Sequence, residues 1–133
     1  MSKLIEELKR EHAVIVDGLT QLMNKAISSK EGQQLLLNVK QGLLAHLKKE
    51  DGQLYPVLNK AAEKDSALKQ TLDYFAKDMT EISETALAFF DKYSRVGADM
   101  GFPADFGRLF AALKIRIHRE VDVLYAKYER LNP

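Results

Sequence analysis

Apolar residues recur along most of the chain at alternating spacings of three and four. The first run is Ile5, Leu8, His12, Ile15, Leu19, Leu22 and Ala26, which lays one apolar stripe along one helix face. Residues 28–32 interrupt it, and Ser28 with Glu31 has the form of a capping box for the next helix. A second stripe runs Leu36, Val39, Leu43, His46, Glu50, with Leu54, Val57 and Leu58 beyond. Gly52 and Pro56 fall inside that continuation and predict a kink or break near residues 51–56. The third helix is expected from near Ser66, with Leu72, Phe75, Met79, Ile82, Ala86, Phe89 and Tyr93 on its stripe. Residues 96–103 hold Gly97, Gly101 and Pro103 and read as a loop. Pro103 suits the first turn of a fourth helix, with Asp105 favourable at its N-terminus. That helix carries Phe106, Phe110, Leu113, Ile117, Glu120, Leu124 and Leu131. No segment alternates with period two, so no sheet is expected. Four helices of roughly 25 residues joined by short loops predict an all-α, up-down-up-down four-helix bundle. Residues 1–133 are read as one domain.

The informative positions are those where a polar residue stands on an apolar stripe. His12 lies between Leu8 and Ile15, His46 and Glu50 follow Leu43, and Glu120 lies between Ile117 and Leu124. Arg116, four residues before Glu120, shares its side of the fourth helix. Counting about 17 residues either way from each turn brings His12, His46, residues 79–82 and residues 116–120 to one height. Buried charges are costly unless paired or metal-bound, so a shared layer asks for a joint explanation. His46 and Glu50 form a His-x3-Glu pair one helical turn apart. With His12 and Glu120 the set is two imidazoles and two carboxylates, donors suited to iron, manganese or zinc.

Composition narrows the chemistry further. The 133 residues carry 20 Lys and Arg against 19 Asp and Glu, a net charge of +1. That balance gives no electrostatic case for a nucleic-acid or anionic-membrane partner. With no cysteine, disulfides, thiolate metal sites and cysteine nucleophiles are excluded. No apolar run reaches the roughly 18 residues that a membrane span needs. The first seven residues are too charged for a secretory leader, and a soluble cytoplasmic protein is expected. His118, flanked by Arg116 and Arg119, is expected on the surface, and Lys48 and Lys49 on a solvated face. Tyr55 and Tyr125, each one residue past a core leucine, are expected to cap the core or to reach the polar layer as donors. Phe89-Phe90 and Phe102-Phe106-Phe110 exceed what one stripe needs. One of each is expected to be partly exposed, as the surface of a homodimer or of a protein partner.

Three stretches resemble the hemerythrin-like (HHE cation-binding) family. Lys9-Arg10-Glu11-His12-x-x-Ile15 is similar to the family's first-helix motif. The run from Leu44 to Asp51 containing His46 and Glu50, followed by Leu54-Tyr55-Pro56, is similar to its second-helix signature. Leu113, Ile117, Glu120 and Leu124-Tyr125 resemble its fourth helix. The resemblance spans almost the whole chain and implies a four-helix bundle with a non-haem di-iron site, used for oxygen binding, sensing, iron handling or repair. Carried over residue by residue, it implies His12, His46, Glu50 and Glu120 as metal ligands. The family's third-helix histidine falls where Met79 stands, and its fourth-helix histidine where Arg116 stands. His118 cannot substitute, being about 200° around the helix from Arg116. The ligands of one metal are kept and the terminal ligands of the second are lost.

The reading that follows is a mononuclear site on His12, His46, Glu50 and Glu120, with iron preferred and zinc or manganese as alternatives. Arg116 would place a fixed positive charge where a second metal sat, pairing with Glu50 and Glu120, and Met79 would fill the vacated space. A sensor, binding or regulatory module is favoured over an enzyme. Two alternatives stand beside it. One is a metal-free bundle whose buried polar network serves a protein-interaction module; the other is a non-haem iron redox enzyme.

Overall fold

The computed structural model describes residues 2–25, 27–96 and 101–131. Helix α1 (Lys3–Met23) starts at Ser2, whose Oγ accepts from the Ile5 N–H. The Ser2 N–H and hydroxyl both donate to the Glu129 carboxylate, at 2.9 and 3.0 Å. That contact ties the first turn of the bundle to its last. Helix α2 (Lys30–Lys49) is capped by Ser29, whose Oγ accepts from the Gly32 N–H at 2.9 Å. The cap expected from Ser28 and Glu31 therefore sits one residue later, and Glu31 pairs with Lys25 in the first turn instead.

The expected break near residues 51–56 does not occur. α2 runs through a π-helical turn, Glu50–Leu54, directly into α3 (Tyr55–Ala62). The Tyr55 N–H reaches back to the Glu50 carbonyl, and Pro56 lies in the first turn of α3, where its missing N–H disrupts least. α4 (Ser66–Val96) is one helix of 31 residues, and Asp65 Oδ1 accepts from the Leu68 N–H at its start. α5 (Phe102–Arg119) has Pro103 in its first turn as expected, then passes through a second π-helical turn, Glu120–Tyr125, into α6 (Ala126–Leu131). Of the predicted loop, Val96 belongs to α4, and Phe102 and Pro103 to α5. Gly97 and residues 98–100 lie outside the described residues, as does Ala26 of the first stripe.

α1 packs on α2, α3 on α4 and α4 on α5, while α2 touches α4 and α1 touches α5. This is the all-α four-helix bundle that the periodicity predicts, with α2–α3 and α5–α6 each serving as one rod. No strand occurs among the described residues, and no helix there is long and apolar enough to cross a membrane. The apolar core is divided. One cluster gathers Leu19, Leu22, Leu36, Phe90, Tyr93 and Leu109 near one end. The other gathers Ile5, Leu8, Leu54, Leu58, Leu72 and Leu124 near the opposite end.

Three expectations about the stripes change. Phe89 and Phe90 are both buried, so neither offers a partner surface. They pack in an aromatic group with Tyr93, Phe102 and Phe106. Along α5 and the turn that follows, the inward line is Phe106, Leu109, Leu113, Arg116 and Glu120; Ile117 is half-buried, Leu131 of α6 is exposed, and Phe102 and Phe110 are half-buried, the partial exposure expected within the Phe102-Phe106-Phe110 trio. Arg116 takes the inward place beside Ile117 because buried partners await it there.

Gly18 sets how closely α1 and α2 approach. A Cβ there would lie 2.7 Å from Val39 Cγ2, whereas one at Gly42 meets nothing within 4 Å. Gly18→Ala should therefore lower stability by about 1–3 kcal/mol, with recovery when Val39→Ala is added. Gly42→Ala should raise it by about 0.5–1 kcal/mol, the cost of glycine within a helix. Chemical denaturation of the three variants checks both signs; equal behaviour of the two alanines would show that the close approach does not matter.

Candidate metal centre

A polar layer separates the two apolar clusters. His12 comes from α1 and His46 from α2. Glu50 opens the first π-turn, and Arg116 and Glu120 close α5 and open the second. All five are buried, none more than 5% exposed. The heights counted from the turns thus place these residues correctly. His12, His46, Glu50 and Glu120 each present a ligand-type atom, and these atoms all lie within 4.8 Å of one another.

Helical spacing explains the convergence. His46 and Glu50, and likewise Arg116 and Glu120, are four residues apart and lie one above the other on a helix face. His12 Nε2 is 3.0 Å from Glu120 Oε1, and His46 Nε2 is 3.4 Å from Glu50 Oε2 and 3.9 Å from Glu120 Oε1. Each π-turn then adds a residue, and the second turns both Leu124 and Tyr125 inward. Tyr125 does not cap the core with its hydroxyl in water. Its O–H donates to Glu50 Oε2 at 2.7 Å and lies 3.0 Å from His12 Nε2.

Arg116 is held from three helices. Its Nε donates to Glu120 Oε2 at 2.8 Å, and its Nη1 to the Phe75 carbonyl and to Asp78 Oδ2 at 2.8 and 3.0 Å. Nη2 donates to the Tyr55 hydroxyl at 2.9 Å. The guanidinium also lies 4.7 Å from the centre of the Phe75 ring. The expected pairing with Glu120 is present; Asp78, on the adjoining turn of α4, takes the place expected for Glu50. Met79 is half-buried, and its sulfur accepts from the Ser83 hydroxyl at 3.4 Å. Met79, Ile82, Leu113, His12, His46 and Arg116 are among the residues around a cavity of about 20 Å³, room for roughly one water molecule. His118 is exposed, pairs with Asp122 at 3.1 Å and takes no part.

Two neighbours of the layer were not singled out from the sequence. Glu11 Oε1 lies 2.8 Å from His46 Nδ1, and Lys49 bridges Glu11 and Glu7 at 2.5 and 3.2 Å, so Lys49 is not simply solvated. The only signal for Glu11 was its place beside His12 in the first-helix motif. Asp78 likewise precedes Met79 without itself lying on the stripe.

The charges in the layer set one another. Burial acts to raise the Glu120 carboxyl, but the imidazoles of His12 and His46 beside it and the charge of Arg116 outweigh it and hold it well below the usual carboxylate range. Glu50 is pushed up, by burial first and then by the negative charge of Glu120. Burial acts to lower His46, but the carboxylates of Glu120, Glu50 and Glu11 together hold it up to about 10. A position where three carboxylates converge on one imidazole strongly favours positive charge.

Glu11 sits below its ordinary value: hydrogen bonds from Lys49 and His46 overcome the upward effect of burial. Ionised, it can only accept, so His46 Nδ1 carries the proton and Nε2 turns toward the cluster. His46 Nε2 is buried without a hydrogen-bond partner, as is His12 Nδ1. An unsatisfied imidazole nitrogen facing two carboxylates and a second imidazole is the donor set of a transition-metal site.

A buried layer of nitrogen and oxygen donors at mid-height of a four-helix bundle defines a class of metal-binding helical proteins. The chain matches the hemerythrin HHE cation-binding domain over residues 3–128 and belongs to that family. No curated protein and no solved structure matches it.

The layer's stability should depend unequally on its members. Arg116→Leu leaves Glu120 and Asp78 without their cation and should cost about 3–5 kcal/mol. Tyr125→Phe removes one donor and should cost about 1–2 kcal/mol. Urea unfolding of the metal-free variants measures both. A loss under about 1 kcal/mol for Arg116→Leu would mean that its partners are satisfied without it.

Proposed function

We propose that the chain is a single-ion metal-binding module in which His12, His46, Glu50 and Glu120 are the ligands and iron is the resident ion. The reading rests chiefly on the buried, unpartnered Nε2 of His46, held in place through Nδ1 by Glu11. Two nitrogens and two oxygens also suit zinc or manganese. A bound iron would supply a redox-active Lewis acid. The chain's own residues orient the imidazole, neutralise the carboxylates and keep water out between two apolar clusters.

A second ion does not fit. Met79 offers a thioether already engaged by Ser83, and Arg116 fills the fourth-helix position with a cation bonded to Glu120 Oε2. The cavity beside the cluster, about 20 Å³, leaves no room for an organic substrate. Both observations favour a sensor, binding or regulatory module over an enzyme acting on an organic substrate. The metal-free interaction module remains the competing reading, favoured by the close pairing of Glu120 with Arg116 and His12.

Elemental analysis of protein purified anaerobically from iron-replete cells separates the two. One metal per chain, lost in His46→Ala, is the expected result. Less than about a tenth of an equivalent would remove the metal reading, since sites of this kind hold their ions tightly. Two per chain would show that Arg116 and Met79 do not close the second position.

A further inference from the structure

Glu120 presents its two oxygens to different cations. Oε1 faces the imidazoles, 3.0 Å from His12 Nε2, while Oε2 is held at 2.8 Å by Arg116 Nε. Arg116 cannot deprotonate, and its other contacts are a backbone carbonyl, a tyrosine hydroxyl and Asp78. Beyond His46, Glu11 and Glu7 share Lys49, and all three are partly open to water, which screens the charge they leave.

Within the layer itself, the carboxylates of Glu50, Glu120 and Asp78 contribute three negative charges and Arg116 one positive. The two imidazoles are neutral when they act as ligands. A divalent ion therefore brings the layer to zero, whereas a trivalent ion leaves one uncompensated positive charge. The four ligands are at most 5% exposed, so water cannot relieve that excess cheaply.

We infer that Arg116 determines the charge the centre accepts, making it a site for a divalent ion and opposing the trivalent state. The inference rests on the single-ion reading and adds a specificity-determining residue to it. For iron it means that the ferrous ion is favoured relative to the same ligands without the guanidinium.

The test uses two redox-inert probes, Zn2+ and Ga3+, on the full chain, with affinities measured by chelator competition. Asp78→Asn keeps an acceptor for Arg116 but removes a negative charge, and Asp78 lies partly at the surface. It should lower the ratio of Ga3+ to Zn2+ affinity on the order of tenfold or more. Arg116→Gln should raise that ratio by a similar factor. Should Arg116→Gln fail to fold, Arg116→Gln combined with Asp78→Asn is compared with Asp78→Asn alone, and the double variant should show the higher ratio.

Zn2+ binding by the wild-type chain with no measurable Ga3+ binding also supports the inference. Zn2+ binding with a ratio unmoved, or lowered, by removal of the Arg116 charge overturns it while leaving the single-ion reading intact. Binding of neither probe by the wild type overturns both.

Discussion

The architecture turns on how a carboxylate can be kept ionised in the middle of a helix bundle. Glu120 is 2% exposed, and its charge would be prohibitive there without cations on both sides. Arg116 meets one oxygen, and the imidazole of His12 meets the other. Arg116 can do so only because Phe75, Asp78 and Tyr55 take its remaining donors. One buried charge thus fixes the mutual positions of α1, α3, α4 and α5 at mid-height. The division of the apolar core into two clusters follows from the same requirement, since no leucine can occupy a layer built of such groups.

The bundle was legible from the sequence because helix faces are written in the spacing of apolar residues, and four such faces can bury themselves only against one another. The layer was legible for a related reason: His12, His46, Glu50 and Glu120 each displace a leucine-type residue on a stripe, and loop positions fix their heights. What spacing cannot convey is the reach of long side chains. Glu11 and Asp78 sit one position off the inward line, and they matter because of how their carboxylates turn. The π-turns were equally hidden. Gly52 and Pro56 suggested a break, but an extra residue accommodated in a wide turn keeps the helix continuous. At Glu120–Tyr125 there is no glycine or proline at all. Beyond it Leu131, read as part of the stripe, is exposed.

Those two turns occupy equivalent places. His46 precedes one and Glu50 opens it, Arg116 precedes the other and Glu120 opens it, and a tyrosine follows each glutamate by five residues. Tyr55 meets the guanidinium, and Tyr125 meets Glu50 and His12. The same short pattern has thus been used twice, once around an imidazole and once around a guanidinium. The family relation fits that repetition, with an imidazole before one turn and a guanidinium before the other.

The two arms therefore stand in different relations to their surroundings. On the α3–α4–α5 side the positive charge is covalently part of the chain, present from synthesis and independent of supply. On the α1–α2 side it must come from a proton or from an ion in the medium. The guanidinium keeps its bonds to α3 and α4 whatever charge the imidazoles carry.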